Sequence, residues 1–172
     1  MTAAPARGPG LITDTPMPTS ILAKFRDIID KVSPSPETRA LREAQALQAA
    51  CCGLLMEVAR LESPAAERKR KAVSQAMREE FGIPNEELEP MIANAGRPEN
   101  RLTSYFRPVD LINKVYAPEQ KVKFIERLWR VAMADGDIDV YEDQLVRKLA
   151  DLLYVAHADF ILAKHRVQNA VC

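Results

Sequence analysis

The sequence predicts an all-α domain, a bundle of about seven to eight helices. Three observations carry this. Apolar residues recur at the three- and four-residue spacing of amphipathic helices along most of the chain. No stretch shows the period-2 alternation of a half-buried strand. The composition is 47% hydrophobic but only 6% aromatic, with 6 glycines in 172 residues. An Ala/Leu-rich, glycine-poor chain suits packed helices, and this length is enough for one domain with a real core.

Residues 1–18, rich in Pro, Gly, Ala and Thr, read as a flexible tail. Residues 19–36 read as an amphipathic helix, Thr19 to Val32, followed by a linker at Pro34 and Pro36. Its apolar residues are Ile21, Leu22, Phe25, Ile28 and Ile29. The helical domain follows over 37–172. Its first helix, Glu37 to Leu61, carries Leu41, Ala44, Gln48, Cys51, Leu55 and Val58 on one face, with Leu47 and Leu54 alongside. Gly53 in mid-helix costs about 1 kcal/mol relative to Ala and points to close packing. Ser63-Pro64 breaks this helix, and the next, Ala65 to Phe81, buries Val73, Ala76, Met77 and Phe81 before Gly82. Pro84-Asn85 opens a shorter helix with Leu88, Met91, Ile92 and Ala95. After a turn region at Asn94 to Asn100, a helix from Thr103 to Val115 carries Phe106, Leu111, Ile112 and Val115, with a break expected at Pro108. The last helix, His157 to Val171, carries Phe160, Ile161, Leu162, Val167 and Val171.

The most informative stretch is Phe124 to Val155, a helix, a tight acidic turn and a second helix. In the first of these helices, Val122, Ile125, Trp129 and Ala132 form a stripe flanked by Leu128 and Val131. Lys123, Glu126, Arg127 and Arg130 take the other side. Gly136 is the expected stop. Asp139 can cap the second helix, and Glu142, three residues on, can reach back to the cap's own N–H, which is capping-box logic. Tyr141, Leu145, Leu149 and Leu152 or Leu153 form its apolar face.

Asp135, Asp137, Asp139 and Glu142 fall within eight residues. Two readings of them stand side by side. Clustered carboxylates on a bent backbone suit a hard divalent cation, Ca²⁺ or Mg²⁺. The same residues also serve as caps and solvated turn residues. An EF-hand is excluded, because Gly136 sits at position 2 rather than 6 and Val146 stands where the bidentate Glu belongs.

Other classes are excluded more directly. With 24 basic and 24 acidic residues the net charge is zero, which leaves no electrostatic footprint for nucleic acid. The one basic run, RKRK at 68–71, reads as a solvated face. Cys51, Cys52 and Cys172 make no disulfide framework, and a reducing cytoplasm fits them. Cys51 reads as a small core residue. There is no apolar run of membrane-spanning length, and the N-terminus lacks the apolar region of a signal peptide. The two histidines, His157 and His165, form no HExxH motif and read as a first-turn residue and a rim residue. With neither a nucleophile–base pair nor a histidine metal motif, the chain is expected not to be an enzyme.

Two stretches look alike. LLMEVARLES (Leu54 to Ser63) aligns with RLWRVAMADG (Arg127 to Gly136), so that Val58-Ala59 matches Val131-Ala132. The acidic turn survives only in the second stretch. Glu62 stands opposite Asp135, but Pro64 replaces Asp137, Ala66 replaces Asp139 and Lys69 replaces Glu142. A two-site cation binder has therefore lost one site here, with Glu62 its remaining acidic position.

The run ERLWRVAMADGDIDVYEDQLVRKLADLLYVAHADFILAK resembles the TerB-like family, small helical domains named after a bacterial tellurite-resistance protein. LLMEVAR, the helix ending in EEFGIP, and DLINKVYAPEQKVKFIERLW match the same pattern, and the resemblance covers about residues 37–171. It implies a helical bundle of two pseudo-twofold halves, a link to tellurite resistance and stress response, and acidic turns that serve as metal sites. Asp135 and Glu142 match the family's acidic positions in the second half, and Glu62 is the sole acidic match in the first. No catalytic residue carries over. The function expected is that of a cytoplasmic, non-catalytic interaction module with a protein partner and a divalent cation at the turn. A metal-free scaffold and a membrane-associated adaptor docking through residues 19–32 are the alternatives.

Overall fold

The computed structural model describes residues 35–59 and 66–171. The expected tail, the amphipathic helix at 19–32 and the segment 60–65, with Glu62, lie outside the described residues. The chain divides into two units, 1–40 and 41–172. Of the first, residues 35–40 are described. They open α1 (Pro36–Ala59), with Pro36 at its first position and the Ser35 hydroxyl accepting from the Thr38 N–H at 3.2 Å.

The second unit carries the rest of α1, then α2 (Ala66–Phe81), α3 (Asn85–Ala95), a 3₁₀ turn (Pro98–Asn100), α4 (Phe106–Val115), α5 (Pro118–Ala132), α6 (Val140–Leu152) and α7 (His157–Val171). Seven α-helices and no strand are present among the described residues. The fold is all-α, as the periodicity predicts.

Helix α5 is the centre of the packing. It lies against α2, α6 and α7, while α2 also packs on α3. The stripe expected on α5 is buried from Ile125 onward, with Ile125, Leu128, Trp129, Val131 and Ala132 closed to solvent, while Val122 at its start is half-buried. Trp129 meets Phe160 of α7 at 5.5 Å between ring centroids. Polar contacts tie α2 to α5, through Arg127 to Glu80 toward the interior and Arg130 to Glu79 at the rim, both at 2.6 Å.

Several faces differ from expectation. In α1 the predicted face begins at Leu41 and Ala44, yet Leu41 is 59% exposed and burial starts at Leu47. From Cys51 to Ala59 the helix is buried almost all round, so a one-face pattern understates its contacts. Gly53 faces Leu102, where an added Cβ would lie at an ordinary 3.6 Å. The packing around this glycine therefore has room for a methyl group. Helix α4 is continuous through Pro108, which falls in its first turn, where no backbone N–H is needed. Its buried face is Pro108, Val109 and Ile112, leaving Phe106 75% and Val115 52% exposed. In α7, Phe160, Ala163 and Val167 are buried and Leu162 is exposed. Helix α5 stops at Ala132, ahead of the expected Gly136, which turns the chain three residues later than the Met133 cap with φ 98°.

Candidate functional site

The acidic turn joins α5 to α6. Asp139 is the N-cap of α6, with Oδ1 accepting from the Tyr141 N–H, and Glu142 Oε2 accepts from the Asp139 N–H at 3.3 Å. The capping box is therefore formed as the sequence suggests. Asp137 is exposed, and Asp139 lies at the surface.

Glu142 and Asp135 share a partner that the local sequence hides. Lys69 of α2 sends its ammonium into the turn, where it bonds Glu142 Oε1 and stands 3.1 Å from Asp135 Oδ2. Lys69 is 4% exposed and Glu142 1%. The reading of RKRK as a solvated run is thus corrected at one of its four residues. Arg68 and Lys71 are exposed and Arg70 reaches Glu89 at 2.9 Å, but Lys69 is interior. Burial works against its charge. The bonds to Glu142 and then Asp135 outweigh that, and the ammonium is held above the usual lysine range.

The four sequence-predicted carboxylates therefore divide. Asp135 and Glu142 converge on one ammonium, Asp139 serves the helix end, and Asp137 faces solvent. Both oxygens of Glu142 are engaged, one by Lys69 and one by the Asp139 N–H. Among the described residues no group of three or more His, Cys, Asp or Glu side chains is placed to hold a metal ion. With Lys69 in place only two carboxylate oxygens, Asp135 Oδ2 and Glu142 Oε1, turn toward one point, and the ammonium occupies it, whereas a divalent cation takes several oxygens around itself. Glu57 of α1, a further carboxylate in the first of the two similar stretches, accepts from the Leu102 N–H at 2.9 Å.

Two further features escaped the sequence reading. The first is an interior polar chain. Cys51 Sγ lies 3.6 Å from the Tyr116 hydroxyl, which donates to Glu80, and Glu80 pairs with Arg127. Cys51 and Cys52 are free and wholly buried, and burial pushes both thiols up to about 12. They are core residues, inert as nucleophiles at neutral pH.

The second is a groove of about 570 Å³ between α4 and the end of α6, lined by Tyr105, Phe106, Val109, Asn113, Leu152 and Tyr154 among others. Phe106 is 75% and Tyr154 84% exposed. Asn113 Nδ2 donates to the Leu152 carbonyl at 3.0 Å, while its buried Oδ1 lacks a hydrogen-bond partner among the described residues. Lys148 lies over the Tyr105 ring, 5.3 Å from its centroid. Tyr154 holds a φ of 58°, the left-handed region that a helix end normally gives to glycine. Its N–H bonds Asp151 O and the next N–H, that of Val155, bonds Ala150 O, which is the Schellman pattern.

An α-helical domain with its acidic turn locked by an internal lysine, and with no helix among the described residues long and apolar enough to cross a membrane, is the class defined so far. A family model described as tellurite resistance protein TerB matches residues 48–165, well over half of the chain, and the chain belongs to that family. No curated protein and no solved structure was found to match it.

Proposed function

We propose that this TerB-family chain is a cytoplasmic, non-catalytic interaction domain that takes a segment of a partner protein in the groove between α4 and α6. The carrying observation is the pairing of Phe106 and Tyr154, two largely exposed aromatics on one groove. An apolar patch rimmed by polar groups marks an interaction site, and aromatic residues dominate the energetics of such sites. The left-handed Tyr154 strengthens the reading. A non-glycine residue there costs about 1–3 kcal/mol, and such strain concentrates at functional positions.

The occupant is argued from the lining. Its apolar side chain would stand between Phe106 and Tyr154, and its carboxylate would meet Lys148. Asp110, also on the groove, is already neutralised by Lys114 at 2.6 Å. An acidic, apolar peptide segment is therefore favoured over a basic one.

The acidic turn enters this reading as a structural lock. A connection to tellurite or stress tolerance would run through the partner rather than through Cys51 or Cys52, which are buried and protonated.

Selection from a random peptide display library tests the proposal. The expected result is an enriched motif of an apolar residue beside Asp or Glu, whose binding Phe106→Ser and Tyr154→Ser each weaken at least tenfold while Tm is unchanged or higher. Enriched peptides that ignore both substitutions would place recognition elsewhere. Self-association abolished by the same substitutions would identify a second copy as the occupant and overturn the proposal, as would an unenriched library.

A further inference from the structure

The geometry points to Lys69 as a tethered cation that stands in for a divalent ion between Asp135 and Glu142, so that this domain orders its acidic turn without metal. Three observations converge. The Lys69 ammonium bonds Glu142 Oε1 and lies 3.1 Å from Asp135 Oδ2. A metal bridging those oxygens would need them at roughly 2.0–2.6 Å, in the space the ammonium fills. The lysine arrives from α2, a helix distant in sequence from the turn it closes, and it is as buried as the core around it. In the alignment of the two similar stretches, Lys69 falls opposite Glu142 itself. At that position the first stretch thus offers one carboxylate ligand fewer and one positive charge more than the second.

The physical consequence is a difference in linkage. A free ion orders a turn only to the extent that its concentration exceeds its dissociation constant. An ammonium carried on the chain is present at fixed stoichiometry and leaves only when α2 leaves. The turn, the N-terminus of α6 and the C-terminal end of α5 are then held together at any cation concentration. The Asp135 Oδ1 atom, buried and without a hydrogen-bond partner among the described residues, marks where one ammonium satisfies less than a multivalent ion would.

Thermal unfolding of the full chain in EDTA and in millimolar Ca²⁺, Mg²⁺ or Mn²⁺ reads this directly. The wild type should give one midpoint in all buffers. Lys69→Gln should melt lower in EDTA and recover saturably with one of the ions, and Lys69→Arg should stay indifferent to all of them. A wild-type midpoint that rises with a cation, and no longer does so in Asp135→Asn, would overturn the inference. So would a Lys69→Gln protein that is not destabilised, or one that no cation restores. Should Lys69→Gln fail to fold, the wild type still decides the matter. Its Lys69 ammonium should appear in ¹H–¹⁵N spectra as a slowly exchanging, hydrogen-bonded signal unaffected by added cations. An ammonium exchanging like that of a surface lysine, or one displaced by metal, would reject the assignment.

Discussion

The Lys69–Glu142 pair allows a quantitative test by double-mutant cycle. Lys69→Met keeps most of the stem's volume and removes the charge, leaving the 1%-exposed Glu142 carboxylate with only the Asp139 N–H at 3.3 Å. Glu142→Leu does the reverse, leaving a buried ammonium with Asp135 alone, 3.1 Å away and itself 18% exposed. Breaking a buried pair from one side costs about 3–5 kcal/mol, because the remaining charge cannot regain water. For a domain of this size that is roughly 10–20 °C in Tm. The double variant should lose far less than the sum, since apolar replacements of similar volume make the site neutral and Asp135 can turn outward. A coupling energy near the upper end of the usual range, about 2–3 kcal/mol, is expected from urea unfolding of the four proteins at neutral pH. Single effects that add to within about 0.5 kcal/mol would show the two side chains to be energetically independent and would refute the argument.

Other predictions rest on separate features. Cys51 and Cys52 have thiols near 12 in the folded state against 9.0 for an ordinary thiol. Their folded-state pKa values are raised, so their contribution is complete below about pH 9 and is lost toward pH 12, at about 1.4 kcal/mol per pH unit for each thiol. Urea midpoints at pH 7 and pH 10 should differ accordingly, and less so in Cys51→Ala/Cys52→Ala. Equal slopes in the two proteins would dispute the assignment. Asp139→Ala should cost about 1 kcal/mol as a lost cap, measured by chemical denaturation. Gly53→Ala should add about 0.5–1 kcal/mol, because the methyl group meets Leu102 at ordinary contact distance and helix propensity favours alanine. Tyr154→Gly should raise Tm by relieving the left-handed tyrosine while weakening peptide capture, and a fall in Tm would show the ring to be a packing residue.

What could be read in advance depended on how locally each feature is encoded. The α5 stripe and the Asp139–Glu142 capping box each span a few consecutive turns, and periodicity and spacing revealed both. Lys69 pairs with a residue 73 positions away, and nothing within RKRK distinguishes it from Arg68 or Lys71, which stay at the surface. The one advance signal was its place opposite Glu142 in the alignment. The Arg127–Glu80 pair has the same long-range origin, so Arg127 was assigned to the solvent side of α5 although only 12% of its side chain is exposed. Phe106 failed in the opposite sense. An apolar residue on a helix looks like core, but the sequence does not say whether another element covers that face, and among the described residues none does so fully.

The Schellman end of α6 gives Tyr154 a property that exposure alone would not. Two hydrogen bonds, Tyr154 N–H to Asp151 O at 3.1 Å and Val155 N–H to Ala150 O at 3.0 Å, fix its backbone to a rigid helix end. In the proposed capture it would surrender the freedom of only two side-chain torsions, where a ring on a pliant loop would also surrender its main-chain freedom. Recognition at this corner should therefore proceed with little entropic opposition from the domain, leaving most of the ordering to whatever segment arrives.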